Sequence, residues 1–223
     1  MKLTQKTLTT LKNYASINQS LYVTRGNVLK TISEMKSVMA EVEVQEMFPR
    51  EFAIYDLNQF LGVVSLFDEP DLDFDTTYVR IKGAQDASSD YFYADKATIR
   101  TLPLEKPFQL PDVVETFVVT DKVIKGVLQA ANVLQLPEIG IIGDGNSIVI
   151  KALNSTNNTS NSFQFNVGST TKKFKMYFKT DNLKMMMGTY DVSISSKKIT
   201  QFKMTEGNLT YFIVNEAASV YEG

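Results

Sequence analysis

The side chains best placed to do chemistry in this chain are lysines, and their spacing is that of helix faces. Lys6, with Thr9, Asn13 and Ser16, falls on the polar side of a helical period over residues 4–17, and Lys2 continues that side just before it. Lys122 and Lys125, with Gln129 and Asn132, repeat the arrangement over residues 120–135. Residues 1–33 contain five basic side chains and no acid. Ammonium groups attract phosphate at long range, and amides and hydroxyls can bond phosphate or its water without repelling it. An ordinary solvated face mixes Lys with Glu, because i,i+4 pairs stabilise a helix. The same acid-poor face on two helices therefore points to a polyanion, with simple solvation as the bland alternative.

Other chemistry is excluded by composition. The chain has no Cys, His or Trp. Thiol nucleophiles, disulfides, zinc sites of Cys or His, and a histidine base are all absent. An enzyme would be limited to carboxylate, Lys, Tyr or hydroxyl chemistry, and no catalytic residue or cofactor is expected. The formal net charge is only −2, so nucleic acid must be met by local patches. No apolar run approaches the ~18 residues of a membrane span, and the N-terminal stretch lacks the apolar core of a signal peptide. A cytoplasmic location and no membrane partner are expected.

The elements that position these lysines occur twice. Leu8, Leu11 and Ala15, with Tyr14 beside them, form the apolar stripe of the first helix. Val123, Val127, Ala131 and Leu134, widened by Ile124 and Leu128, form that of the second. Thr120 or Asp121 is the expected N-cap. Each helix precedes a hairpin pattern, LYVTRGNVLKTIS turning at Gly26-Asn27 and EIGIIGDGNSIVIKAL turning at Asp144-Gly145. Further alternating runs follow, then a short second helix (IYDLNQFLGVVSLF, and TDNLKMM), then three strands. Thr4 corresponds to Thr120. The fold class expected is α+β, a duplicated unit. Residues 1–103 form the first domain, 104–115 a connector and 116–223 the second. The boundary segment Leu102–Asp112 holds three of the six prolines, which suit an extended linker.

Four further features weigh less. Residues 172–203 hold eight Lys against Asp181 and Asp191, readable as a phosphate surface or as edge-strand protection. The cluster DEPDLDFD could attract a divalent cation but misses the EF-hand spacing, and a solvated acidic loop is the simpler reading. Gly140, Gly143 and Gly145 lack the Lys-Ser/Thr and helix of a phosphate loop and read as a turn. Met185, Met186 and Met187 read as core packing rather than a partner surface.

The opening MKL, the helix segment LKNYASIN, the run AIYDLNQFLGVVSL and, in the second half, NLKMMMGTYDV resemble the sliding clamps of T-even-like myoviruses, the DNA polymerase processivity factors of those phages. The resemblance is strongest over residues 1–66 and 178–194. It implies a homotrimeric ring of six similar domains around double-stranded DNA, with helices lining the hole. It also implies the replicative DNA polymerase, an ATP-dependent clamp loader, and a late-transcription sigma-like factor with its coactivator as partners, in the cytoplasm of an infected bacterial host. On that reading Lys6, Lys12, Lys122 and Lys125 face DNA, with Lys2 and Lys184 nearby. Asp90, Tyr91, Phe92 and Tyr93 would pair with Phe163, Gln164 and Phe165 of the next subunit. A partner-peptide pocket would use Ile32, Met35, Val38, Phe108 and Leu110. The short helix carries Asp56 and no Lys, a departure from a basic lining. The alternatives are a non-ring nucleic-acid-binding protein or a phage structural or assembly protein. Native mass separates them from the ring.

Overall fold

Thr4 starts the first helix. Its side-chain hydroxyl accepts the N–H of Thr7 (3.2 Å), satisfying one of the donors a helix start leaves open. The computed structural model describes residues 1–99, 108–157 and 159–223. The chain divides into two units, Met1–Pro107 and Phe108–Gly223.

In the first unit, α1 (Gln5–Ile17) is followed by β1 (Leu21–Val23), β2 (Gly26–Ile32), β3 (Val38–Phe48) and β4 (Phe52–Ile54). Then come α2 (Leu57–Val64), β5 (Asp71–Phe74), β6 (Tyr78–Lys82) and β7 (Ser88–Phe92). β1 pairs with β4, β2 with β3, and β5–β6–β7 form an antiparallel meander. The second unit holds β8 (Val113–Val119), α3 (Asp121–Val133), β9 (Glu138–Asp144), β10 (Ser147–Leu153), β11 (Phe163–Ser169) and β12 (Lys173–Lys179). It ends with β13 (Tyr190–Ser195), β14 (Ile199–Met204), β15 (Thr210–Val214) and β16 (Val220–Tyr221). One of its sheets runs β11-β10-β9-β12-β16. The other joins β8, β13, β14 and β15 through antiparallel pairs.

The duplication is thus visible in the ladders. β1–β4 matches β9–β12, β2–β3 matches β10–β11, and β5–β6–β7 matches β13–β14–β15. Even the N-terminal segment has a counterpart. Leu72 N–H of β5 donates to Met1 O (2.8 Å), where β8 pairs with β13 in the second unit. α+β duplication is therefore the architecture.

Three local expectations are corrected. The LYVTRGNVLKTIS hairpin does not form: β1 is buried at all three residues and takes its ladder from β4. Gly26, at φ +117°, opens β2, whose hairpin partner is β3. The second helix of the second half is a single 3-10 turn, Thr180–Asn182, with no side-chain cap. After it, Leu183 and Met185 are buried while Lys184 is exposed, an extended alternation that sends the apolar side chains into the core. The backbone of Met186 is then held from both sides, its N–H donating to the Tyr211 hydroxyl (3.1 Å) and its carbonyl accepting from Tyr190.

The third correction is the face of α1. Its buried residues are Thr7, Thr10, Leu11 and Tyr14, with Leu8 only half-buried. The cause is Glu46 on β3. This buried carboxylate accepts from the Thr4 N–H and from the Thr7 hydroxyl (2.6 Å). Burial pushes its pKa up, but these hydrogen bonds outweigh burial and hold it below the ordinary 4.5. Its stabilisation is therefore present above about pH 4.5 and lost as pH falls through the depressed folded value. Glu46→Gln is expected to cost ~1–3 kcal/mol at pH 7. The gap from the natural protein should narrow as denaturant midpoints are taken below pH 4.5. A gap that does not change with pH would show that the charge of Glu46 is not what matters.

Candidate nucleic-acid interface

α3 buries Ile124, Val127 and Ala131 and leaves Lys122, Lys125, Gln129 and Asn132 exposed. Of the stripe the sequence predicts, Val127 and Ala131 are buried with the flanking Ile124, while Val123 and Leu134 are half-buried, and Thr120 is the N-cap, without a side-chain bond. Gly126 lies under the ring of Phe165. A Cβ there would come within 2.8 Å of it, so β11 sits close against this helix. On α1, Lys6, Lys12, Gln5, Thr9 and Ser16 are exposed, and the helix carries no acid. The only acid in α3 is Asp121, at its start. Each unit therefore presents a helix whose solvent face is mainly Lys with amides and hydroxyls, α1 with no acid of its own and α3 with Asp121 alone, at its start.

The remaining candidates for this surface divide. Lys184 is exposed after the 3-10 turn. Lys2 is exposed but engaged, with its Nζ 3.1 Å from Glu69 Oε2. Asp56 of the short helix is the N-cap of α2. It accepts the Gln59 N–H (3.0 Å) and is reached by Gln19 Nε2 (3.2 Å). These bonds hold its pKa low, the Gln59 bond foremost. Its charge therefore serves the helix start.

The acidic cluster spends its charges singly. Asp73 meets Lys82 (3.1 Å), Asp71 meets the N-terminal amine, and Asp75 accepts from Thr76. Among the described residues, no group of carboxylates is arranged to hold a metal ion. Gly145, at φ +91°, makes the hairpin turn that the glycine pattern suggests. Lys173, Lys175 and Lys179 occupy the exposed positions of β12. That strand lies between β9 and β16, so edge protection is not their role.

The two strands named for subunit pairing are both sheet edges within their units. Their outward groups follow from ladder parity, since amides two residues apart point the same way. In β7, Tyr93 N–H donates to Thr77 O (2.9 Å). The outward amides are therefore those of Asp90 and Phe92. Tyr91 and Tyr93 serve their own unit instead. The Tyr91 hydroxyl donates to Asp56 O (3.0 Å), and Tyr93 stacks on Phe52 with ring centroids 5.2 Å apart. Asp90 is held by Arg80 in a two-point pair (2.7 and 2.8 Å). Phe92 is 68% exposed. In β11, Thr170 N–H reaches Asn146 O (3.3 Å). A bulge then leaves Val167 unpaired, and Phe165 and Phe163 come opposite Ile150 and Ala152. Gln164 and Asn166 are left with outward amides.

Of the pocket candidates, Val38 is buried at 4% exposure and cannot offer its own surface to a peptide. It starts β3, whose burial alternates from that residue. Met35 is 86% exposed on the turn between β2 and β3, and Ile32 and Leu110 are half-buried. Phe108 is 40% exposed, with its ring edge-on to Phe212 at 4.8 Å. Leu102 and Leu104 lie outside the described residues.

Two duplicated α+β units, each turning an acid-poor lysine face to solvent, are the architecture of a DNA sliding clamp. PCNA from Thermococcus kodakaraensis superposes with a TM-score of 0.68, covering 95% of this chain and 96% of that one at 16% identity, a likeness of fold. The sequence comparisons are closer. Residues 2–100 match the family described as DNA polymerase processivity factor, and residues 117–217 the one described as gp45 sliding clamp, C terminal. The sliding clamp of Vibrio phage KVP40 is 30% identical, over 97% of this chain and 100% of its own length. That of Escherichia phage RB69 is 28% identical over the whole of both chains. The chain belongs to the family of phage sliding clamps, which are processivity factors and not enzymes.

Proposed function

We infer that this protein is a DNA sliding clamp that holds the replicative polymerase on duplex DNA. The observation that carries the reading is the paired lysine faces on equivalent helices of two equivalent units. Linkage rather than affinity keeps such a ring on DNA, so a net charge of −2 is no obstacle. Loose, water-mediated phosphate contacts suffice. The finer reading is a homotrimer closed edge to edge through β11 and an edge of the first unit, opened by an ATP-dependent loader. It works in the cytoplasm of an infected bacterial host, and late-transcription factors also dock on it. Among the described residues, no helix is long and apolar enough to cross a membrane. Native mass is the first test. About three times the 25.1 kDa of the chain supports the ring, and a stable monomer sinks it.

The docking site for polymerase is placed at Phe108 and Leu110, with Ile32 and Met35 of the first unit as further candidates. Phe108 is 40% exposed while packed at a steep angle on Phe212, which suits an anchor point for an aromatic or leucine side chain. Phe108→Ala with Leu110→Ala is expected to weaken binding of a polymerase C-terminal peptide by ~1–3 kcal/mol, with the native mass unchanged. Equal titration curves for both rings would move the pocket elsewhere, with the surface near Tyr221 next in line. Late transcription is tested by whether the ring stimulates synthesis from a late promoter on nicked but not on intact template.

A further inference from the structure

Lys2 stands apart from the other lysines on its side of the first unit. Its Nζ lies 3.1 Å from Glu69 Oε2, and both side chains are largely exposed. Glu69 belongs to the loop that follows α2. That loop and α1 enclose a cleft of about 500 Å³ whose rim carries Lys2, Lys12 and Gln5 on one side and Asp68 and Glu69 on the other. The loop reaches this position with Glu69 in the left-handed region, at φ +44°. That conformation is costly for a residue with a Cβ. The corresponding segment of the second unit, residues 183–190, carries Lys184 and no acid.

We propose that Glu69 is a counterion built into the DNA-facing side of the first unit, holding Lys2 off the phosphates so that the clamp grips duplex weakly enough to slide. The proposal rests on the DNA-facing reading of α1. A carboxylate beside an ammonium takes the place a phosphate oxygen would fill, and DNA must displace it to gain the contact. An exposed pair of this kind is weak and screened by salt. Glu69 therefore tunes the grip without abolishing it. Sliding needs such tuning, because every phosphate contact must be broken and remade at each step along the helix. The two units then differ, because residues 183–190 of the second carry no acid in the place of Glu69.

The test is equilibrium binding of the full-length clamp to short blunt-ended duplex, on which a ring can thread, across a salt series. Glu69→Gln should steepen the dependence of log K on log salt by about 0.9 for each phosphate the ring gains, or about 2.7 where each of three subunits gains one. Going from ~50 to ~200 mM salt then costs a further factor of about 3.5 per added contact. Lys2→Gln in the Glu69→Gln background should return the slope to that of the natural protein. An unaltered slope in Glu69→Gln, with binding still weakened by Lys122→Gln and Lys125→Gln, overturns the counterion role while leaving the DNA face standing. No effect from the Lys122 and Lys125 changes would remove the DNA face, and this inference with it. Matching melting curves for the variants exclude misfolding as the cause.

Discussion

Gln164→Pro is expected to convert the trimer proposed above, closed through β11, to a monomer at dilute concentration, with the fold of the subunit intact. The Gln164 N–H points away from β10, so its loss breaks no bond within the chain. It removes a donor on the side where the next subunit must pair, and the ring of proline obstructs the approach. Each 1.4 kcal/mol lost from an interface is about tenfold in its dissociation constant, and a closed trimer has three interfaces to lose. The companion change in the first unit is Phe92→Pro, since Phe92 has an outward amide. Tyr93→Pro would instead break the internal bond to Thr77 and report on stability. Sedimentation at nanomolar protein reads the result. A trimeric Gln164→Pro removes β11 from the interface. Dissociation by Gln164→Pro alone assigns the partner strand to another edge of the first unit.

The second large effect is expected on DNA. Replacing Lys6, Lys12, Lys122 and Lys125 by Ala removes four exposed ammonium groups per chain and touches no buried contact. Losing four phosphate contacts on each of three subunits would flatten the salt dependence of ring binding by as much as about 11. Loader-dependent retention on nicked circles and the length of processive synthesis should both fall, while native mass and melting temperature hold. Retention equal to that of the natural protein would strike these residues from the interface.

Much of this was legible in the sequence, for physical reasons that differ along the chain. α3 could be read because its stripe is made of aliphatic side chains at helical spacing. The face of α1 was misread because two of its four buried residues are threonines. Thr10 donates its hydroxyl to Lys6 O within the helix, but the Thr7 hydroxyl is satisfied by a carboxylate 39 positions away, Glu46, and no local pattern announces such a partner. The hairpin at Gly26 failed for a related reason. β1 is buried at every residue, so it lacks the alternation that fixes pairing, and its partner β4 is distant in sequence. The missing second helix was concealed by composition. LKMM suits a helix, but without a cap an extended path that buries alternate residues competes successfully. For the surface, charge type was readable and charge pairing was not. Nothing in the sequence singles out Lys2 from Lys6 and Lys12, yet Glu69 meets Lys2 alone. The edges of β7 and β11 were visible as strands, but which amides face outward required the ladders and the bulge at Val167.

That bulge has a mechanical consequence. It interrupts β11 after a short run, so on its N-terminal side the strand offers a neighbour only the outward groups of Gln164 and Asn166, two amides and two carbonyls. At ~0.5–1.5 kcal/mol for each hydrogen bond, the backbone part of such a seam holds with about 2–6 kcal/mol. A closure this short behaves like a zip with few teeth. In the ring proposed above it can part along its whole length in one event, without melting either domain, while Phe165 stays packed over Gly126 of its own unit.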